Sequence, residues 1–539
     1  MLFRSSNFNT ISLSTMIGGT NGIYIFSSDS NTVTQSFITG GTYGLRLSAA
    51  NRNSISLSTL TGSGFFGLYA AASDSNTVAE SYLWGDTAGV NLDPGSDYNA
   101  ISLSTMVGTT WGFYASDADS NLITQSYMRG NVVGADLDSG SDSNVISFST
   151  MIGNSGSGLY VNGVDSNTVL QSYMWGGDRG LNMQAGSESN AISLSTMIGV
   201  AAGYYTLASS NSVTSSYMSG ANGAELGGGS NHTSIRLSTM TGSSVAGSAG
   251  ALYLVNTASN TVSGSVINNS AGYPAYLDAG ANYNSISQTV MTSNGDGYAA
   301  LVLLNANFNS VTTSFMSDPP GLAAFILTSS SYNVISQSTM TSDSALYSSL
   351  YIKQSSSNTI IDSYVQGSTA AFIQNSTGTV IGGTVFVATN TFGSALALAG
   401  GNVNLAIATS TLRAPSLGRG LALSPGNVGV VSLGSVTFSG SARGIEISTQ
   451  GALFSLAVDS ITFRGLASGA TAIHFLGGTF VATITLASFE DATTGANVSA
   501  AALDPASRIT MNAHYGARTS PVYENDQIGR ASVGKECRL

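Results

Sequence analysis

The stretch Ser28-Asp29-Ser30-Asn31-Thr32-Val33-Thr34-Gln35-Ser36-Phe37-Ile38 returns, lightly edited, along more than half of the chain. Its asparagine sets the beat at Asn9, Asn31, Asn53, Asn76, Asn99, Asn121, Asn144, Asn167, Asn190 and Asn211, in steps of 21 to 23 residues. A fixed period of this size marks a solenoid, in which each coil touches only its neighbours. The 539 residues therefore carry no domain count of the usual kind.

Within one coil, Ile or Val follows the asparagine by two residues (Ile11, Val33, Ile55, Val78). Serine follows that residue by three (Ser14, Ser36, Ser58, Ser81), and an aliphatic or Met follows it by five (Met16, Ile38, Leu60, Leu83). Eleven of the 14 methionines occupy this last column. Asn and Ile share one parity, Ser and Met the other. Side chains alternate faces along a strand, so one strand cannot bury both pairs. A corner between Ile and Ser resolves the conflict. It gives one short strand through Asn-x-Ile, a second through Ser-x-Met, and a third near Gly22–Ile25, Gly67–Ala70 and Gly158–Val161. Three strands and their corners fill about 22 residues, and coils stack about 4.8 Å apart. The expected fold is all-β, a three-sided parallel β-solenoid. Ile and Met columns form its core, and Asn and Ser ladders lie at its inner corners.

The Asn-Thr-Val/Ile motif resembles the repeats of right-handed parallel β-helix proteins. Among these are the pectin-lyase-like superfamily and carbohydrate-associated repeats of the NosD type. The resemblance implies a right-handed helix over residues 1–390, where coils alternate in kind so that the full repeat is a pair of coils. From about residue 230 the beat loosens: Thr233 stands where Asn is expected, and Asn260, Asn284, Asn309, Asn333 and Asn358 follow. Residues 391–490 read as a degenerate continuation, since Ser435–Phe438 and Ser460–Phe463 keep a 25-residue beat. Residues 491–539 carry no repeat and form a tail or cap. Because the repeat begins almost at Met1 with no apolar leader, the sequence reads as an internal start or a piece of a longer chain. A bare end of the coil stack predicts end-to-end self-association.

Charged residues are only 8% of the chain, against about 25% in ordinary domains. The net charge of −12 argues against nucleic acid as a partner. No apolar run is long enough to span a bilayer, and the single cysteine, Cys537, excludes an intrachain disulfide. An extracellular or cell-surface location is expected. The expected partners there are polysaccharide or other surface proteins.

Three groups of residues are candidates for chemistry. Outward aromatics recur on every second coil, about 10 Å apart. One column is Tyr82, Tyr127, Tyr173 and Tyr217, alternating with threonines. The other, on the third strand, is Tyr24, Tyr69, Tyr114, Tyr160 and Tyr205, alternating with polar or charged residues. Rings on a flat, rigid sheet can stack on sugars, although strand propensity alone also selects Tyr. Asp74, Asp97, Asp119, Asp142, Asp165 and Glu188 lie on six consecutive coils. Their repulsion would be relieved by Ca2+, the one cofactor the pattern admits, and turn chemistry is the alternative. The Met column could offer thioethers to copper, but its phase with core Leu and Ile makes it a packing column. For catalysis, neither paired aspartates nor an Arg-x-Lys pair is evident. The resemblance admits a polysaccharide lyase or glycoside hydrolase, whose cleft would interrupt the beat between Asn211 and Asn260. His232, Asp296 and Asp318 are the residues to inspect. The leading expectation is a non-enzymatic, adhesin-like rigid stalk that touches glycans.

Overall fold

A computed structural model describes residues 1–243, 250–448, 450 and 454–485, together with the strand segments 487–489, 494–498, 501–503, 508–509 and 523–525. Most of the 491–539 tail, including His514 and Cys537, lies outside the described residues, as does 244–249 within the interrupted beat. Two compact units divide the chain: Met1–Ser244 with Ala249–Val266, and Val245–Ser248 with Ile267–Leu539. Each is a parallel β-solenoid, with about 20 turns in all and no helix among the described residues.

A coil of the first unit runs Thr32–Thr34, Phe37–Gly40, Tyr43–Ser48. Each strand pairs in parallel with its counterpart one coil away: Val33 with Ile55, Ile38 with Leu60, Tyr24 with Arg46. The expected corner lies between the first two strands. Gln35 occupies it with φ +48°, and every coil of this unit places a left-handed residue there, from Leu13 (+50°) to Leu237 (+50°). The bend turns the next backbone N–H away from the neighbouring strand. Ser58 Oγ accepts that N–H from Ser36 (3.1 Å), while Ser36 Oγ donates to its own Thr34 carbonyl (2.8 Å). The same exchange recurs from Ser14 to Ser238.

Asparagines do equivalent work at the preceding corner. The Asn31 N–H donates to Asn53 Oδ1 (2.9 Å), Asn53 to Asn76 (2.8 Å) and Asn99 to Asn121 (2.8 Å). Some amides also donate Nδ2 along the ladder, as Asn31 to Asn53 (3.0 Å). Others turn it to a backbone carbonyl, as Asn144 to Ala118 (3.0 Å). Thr233 is buried where Asn was expected and gives its N–H to Asn260 Oδ1 (2.8 Å), while its hydroxyl turns to the Ala208 carbonyl (3.5 Å). Inside run the Ile/Val and Met columns, with Met106, Met128, Met151, Met174, Met197 and Met218 fully buried.

The corner after the second strand is built on glycine. A Cβ on Gly85 would lie 2.0 Å from the Ala88 carbonyl, and one on Gly108 would lie 2.1 Å from that of Trp111. The second unit keeps the plan with longer coils. Its Asn ladder runs through Asn284, Asn309, Asn333 and Asn358. Farther on, the first two strands merge into Val428–Ser439 and Phe454–Arg464, which pair Val436 with Ile461 and Phe438 with Phe463.

The ladder predicts unequal costs for neighbouring substitutions. Asn121→Ala strands the Asn99 N–H in a buried corner and should cost about 1–3 kcal/mol. Ser120→Ala, at a half-exposed neighbour, should cost under about 0.5 kcal/mol. Urea unfolding of the two variants compares them, and equal losses would refute the interior role of the asparagine.

Candidate functional site

The second strand alternates outward and inward side chains. In Tyr82–Gly85, Tyr82 and Trp84 point out while Leu83 and Gly85 are buried. Parallel register places Thr59 and Thr105 on either side of Tyr82. Thr105 and Thr150 flank Tyr127, Thr150 and Thr196 flank Tyr173, and Thr196 and Thr239 flank Tyr217. Each ring is thus spaced from the next by a small side chain. Tyr82, Tyr173 and Tyr217 are 42%, 38% and 38% exposed. None of these four phenols has a hydrogen bond or ring partner among the described residues. Trp84 and Trp175 join the same face, each two residues after its tyrosine and four coils apart. In the sequence they stand outside the periodic Tyr column. The Tyr-x-Trp spacing was the signal that would have found them.

The third-strand column is different. Tyr69 Oη donates to Asp93 Oδ2 (2.6 Å), and Tyr114 Oη to Asp138 Oδ2 (3.5 Å). The Arg46 guanidinium lies over Tyr24 (4.9 Å) and Tyr69 (5.6 Å), and Arg179 lies over Tyr205 (3.9 Å). Burial pushes the phenols of Tyr69, Tyr114, Tyr160 and Tyr205 upward. Between Tyr114 and Tyr160 sits Asp136, only 6% exposed. Trp111 Nε1 donates to its Oδ2 (2.8 Å), and Oδ1 has no partner. Burial first, and repulsion from Asp138 second, push the Asp136 pKa up to about 7. This face is knitted together, and its most perturbed acid is sealed beneath rings. The sequence showed Asp136 as one polar step in an alternation. Its Trp111 partner, a coil earlier, was not foreseen.

The acidic column aligns as expected. The backbone N–H of Asp97 donates to Asp74 Oδ1 (3.0 Å), that of Asp119 to Asp97 (2.7 Å), and that of Asp142 to Asp119 (2.8 Å). Asp165 donates to Asp142 (2.7 Å), and Glu188 to Asp165 (2.6 Å). The Asp97 carboxyl is raised by burial, and the neighbouring carboxylates of Asp119, Asp74 and Asp117 add to the rise.

These parallel ladders and coil-by-coil pairings decide the class. The chain is a parallel β-helix repeat protein. Residues 1–149 of the β-helix match the family described as "Periplasmic copper-binding protein (NosD)". No curated protein matches it in sequence. Among solved structures, it is similar to the A-module of the mannuronan C-5 epimerase AlgE4 of Azotobacter vinelandii, with 9% identity, 66% of this chain and 88% of that one covered, and a TM-score of 0.33. It is similar also to the periplasmic alginate epimerase AlgG, with 10% identity, 72% and 78% covered, and a TM-score of 0.21. The third is the Dettilon tailspike protein (gp208), with 13% identity, 62% and 59% covered, and a TM-score of 0.26.

The described residues of the β-helix do not fit a copper site. Met291, Met316 and Met340 are as fully buried as those of the first unit, packed in the core column. No group of three or more His, Cys, Asp or Glu among the described residues is placed to hold a metal ion. In the acidic column, one oxygen of each carboxylate from Asp74 to Asp165 is already engaged by a backbone N–H.

Of the three residues singled out for catalysis, His232 belongs to the first unit and Asp296 and Asp318 to the second, the last two near enough for the Asp296 charge to act on the Asp318 carboxyl. His232 is exposed in the first unit at a left-handed corner (φ +57°). Asp296 is exposed in the second unit. Asp318, also in the second unit, has no solvent exposure and occupies the corner column that glycine fills elsewhere, where Asn269, Ser293 and Ser342 also stand. Neither of its oxygens has a hydrogen-bond partner in good geometry. Burial, partly offset by the nearby Ser293 hydroxyl and Gly321 amide and reinforced by the Asp296 charge, pushes its pKa up to about 6. The second unit also holds an open groove of about 460 Å³ lined by Tyr364, Val387, Thr411, Arg413, Ser439 and Arg464.

Two outcomes follow for the acids. An unfolded Asp318 would ionise at lower pH than the folded one, so its contribution to stability falls as pH rises from about 4 to about 6. Asp318→Asn should therefore stabilise by on the order of 1–2 kcal/mol at pH 7.5 and by little at pH 4. Thermal melts across that range check the sign. At the acidic column, Asp119→Asn keeps an acceptor for the Asp142 N–H and removes repulsion. It should match or exceed the wild type at pH 7, whereas Asp119→Ala should lose about 1 kcal/mol. Calorimetric melts of the pair separate acceptor from charge.

Proposed function

We propose that this β-helix is a non-catalytic polysaccharide-binding protein of the cell exterior, with the second-strand face of its first unit as the binding surface. One observation carries the reading. Tyr82, Tyr127, Tyr173 and Tyr217 have no partner within the chain among the described residues, and threonines hold them apart on a flat sheet. Such rings offer apolar faces to sugar C–H groups and phenol oxygens to their hydroxyls. Trp84 and Trp175 widen two of the four positions. The two-coil spacing of about 10 Å suits a chain running along the solenoid axis, one ring to every second sugar of an extended glycan. The acids with the most perturbed titration, Asp136 and Asp318, are sealed from solvent, which favours binding over acid–base chemistry. The periplasmic description of the matched family supports a location outside the cytoplasm.

The test is affinity electrophoresis and calorimetry against soluble β-linked glycans and uronans. Each ring removed should cost about 1 kcal/mol, so replacing Tyr82, Trp84, Tyr173 and Trp175 by Ala should weaken binding by several hundredfold, about 4 kcal/mol in all. Tyr160→Ala, on the other face, should leave affinity within about threefold. Binding that follows Tyr160 and ignores the four rings would overturn the reading.

A further inference from the structure

The corner between the first and second strands carries a second two-coil alternation, independent of the glycan reading. Leu13, Leu57, Leu103, Phe148, Leu194 and Leu237 occupy it on alternate coils, 51–79% exposed. Gln35, Glu80, Gln125, Gln171 and Ser215 occupy it on the coils between and are likewise exposed. All eleven are left-handed, a conformation that costs a leucine about 1–2 kcal/mol and offers nothing specific in return. Polar residues and glycine fill the same corner throughout the second unit, as at Gln288, Thr313, Gln337 and Gly383. Neither burial nor backbone geometry within one chain therefore calls for the leucines.

We propose that this ridge is the contact between two copies of the chain, packed side by side and antiparallel about a two-fold axis. A partner must meet apolar knobs that recur every second coil, and a second copy of the ridge has that period by construction. Charge fixes the register. In a chain of net charge −12, the ridge and the residues beside it hold one acid, Glu80, and one base, Arg236, which directly precedes Leu237. Both are exposed, and neither makes an ion pair among the described residues. Set Glu80 of one copy against Arg236 of the other and step inward coil by coil. Leu103 then faces Ser215, Gln125 faces Leu194, and Phe148 faces Gln171. The two-fold axis repeats every pair. The register that joins the charges is thus one in which each apolar knob enters the gap over a polar coil. Registers displaced by one coil set leucine on leucine and leave both charges unmatched. Eight coils take part, about 34 Å from first corner to last. So narrow a strip buries less than the ~800 Å² per partner of a standard interface, so the dimer should be weak and reversible.

Sedimentation equilibrium of the full chain, from about 1 µM to about 500 µM, tests this. The wild type should pass from monomer to dimer and stop there. Glu80→Arg alone and Arg236→Glu alone should each weaken association about tenfold or more, because each sets like charges together twice per dimer. The double variant should recover to within about threefold of the wild type. All these side chains are exposed at corners that accept polar residues, so the fold should persist, and far-UV circular dichroism checks it. A wild type that stays monomeric throughout would overturn the proposal. So would association that ignores both single reversals, which would place the contact elsewhere, as at the ends of the coil stack. A double variant as weak as the singles would overturn the register and with it the antiparallel pair.

Discussion

At the asparagine and serine corners of this solenoid one backbone N–H in each coil finds no backbone carbonyl. The chain must bend to close the coil, and the bend points the amide at the neighbouring coil but past its carbonyl. A side-chain oxygen one coil on takes the bond, Ser58 for Ser36 and Asn53 for Asn31. A buried amide left alone costs about 1–3 kcal/mol, and the debt recurs in every coil. Donor and acceptor sit on successive coils, so the residue of each coil also serves its neighbour. The uniform Asn and Ser columns are the consequence. So is the acidic column, where each carboxylate from Asp74 to Asp165 accepts the N–H of the next coil's acid. The same constraint that builds the inner ladders reaches the surface there.

This constraint explains which features could be read in the sequence. Columns tied to a backbone amide or to the core tolerate few residue types, so Asn, Ser, Ile and Met announced the period, the three strands and the corner between Ile and Ser. The glycine corner left a plainer mark than its meaning. At Gly85 the carbonyl of Ala88 excludes a Cβ, and once longer coils relax that corner in the second unit, Asn269, Ser293, Asp318 and Ser342 enter it. Asp318 looked like a free carboxylate because its column identity is visible only by counting from Met316. It is a buried corner residue instead.

The two tyrosine columns show where sequence stops short. Both alternate with small or polar residues and looked equivalent. They differ because the third strand is six residues long in coils such as Phe66–Ala71 and Trp111–Ser116, against four for Tyr82–Gly85. The longer strand puts further side chains on the same face, within reach of Tyr69 and Tyr114. Trp111 meets Tyr114 at 4.8 Å and Phe66 meets Tyr69 at 5.7 Å. On the short strand Trp84 and Trp175 share the face without a ring contact to Tyr82 or Tyr173, and its tyrosines face outward unengaged.

The interior repeats with every coil, whereas the exterior repeats with every second one. Nothing in the ladders can select the longer period, because Asn and Ser recur at each step. Crowding does not select it either. In the second unit Tyr283, Phe308 and Tyr332 stack on consecutive coils at 4.8 and 4.9 Å, nearly parallel and well exposed. Aromatic side chains therefore pack in adjacent coils of this fold without difficulty. The spacing of Tyr by Thr, and of Leu by Gln, in the first unit is not imposed by the helix on itself. A period that the fold neither needs nor prefers, kept in outward columns of the first unit, is what underlies both proposals, the glycan face and the paired ridge. The most economical match is a molecule, or a second copy, whose own repeat is two coils long.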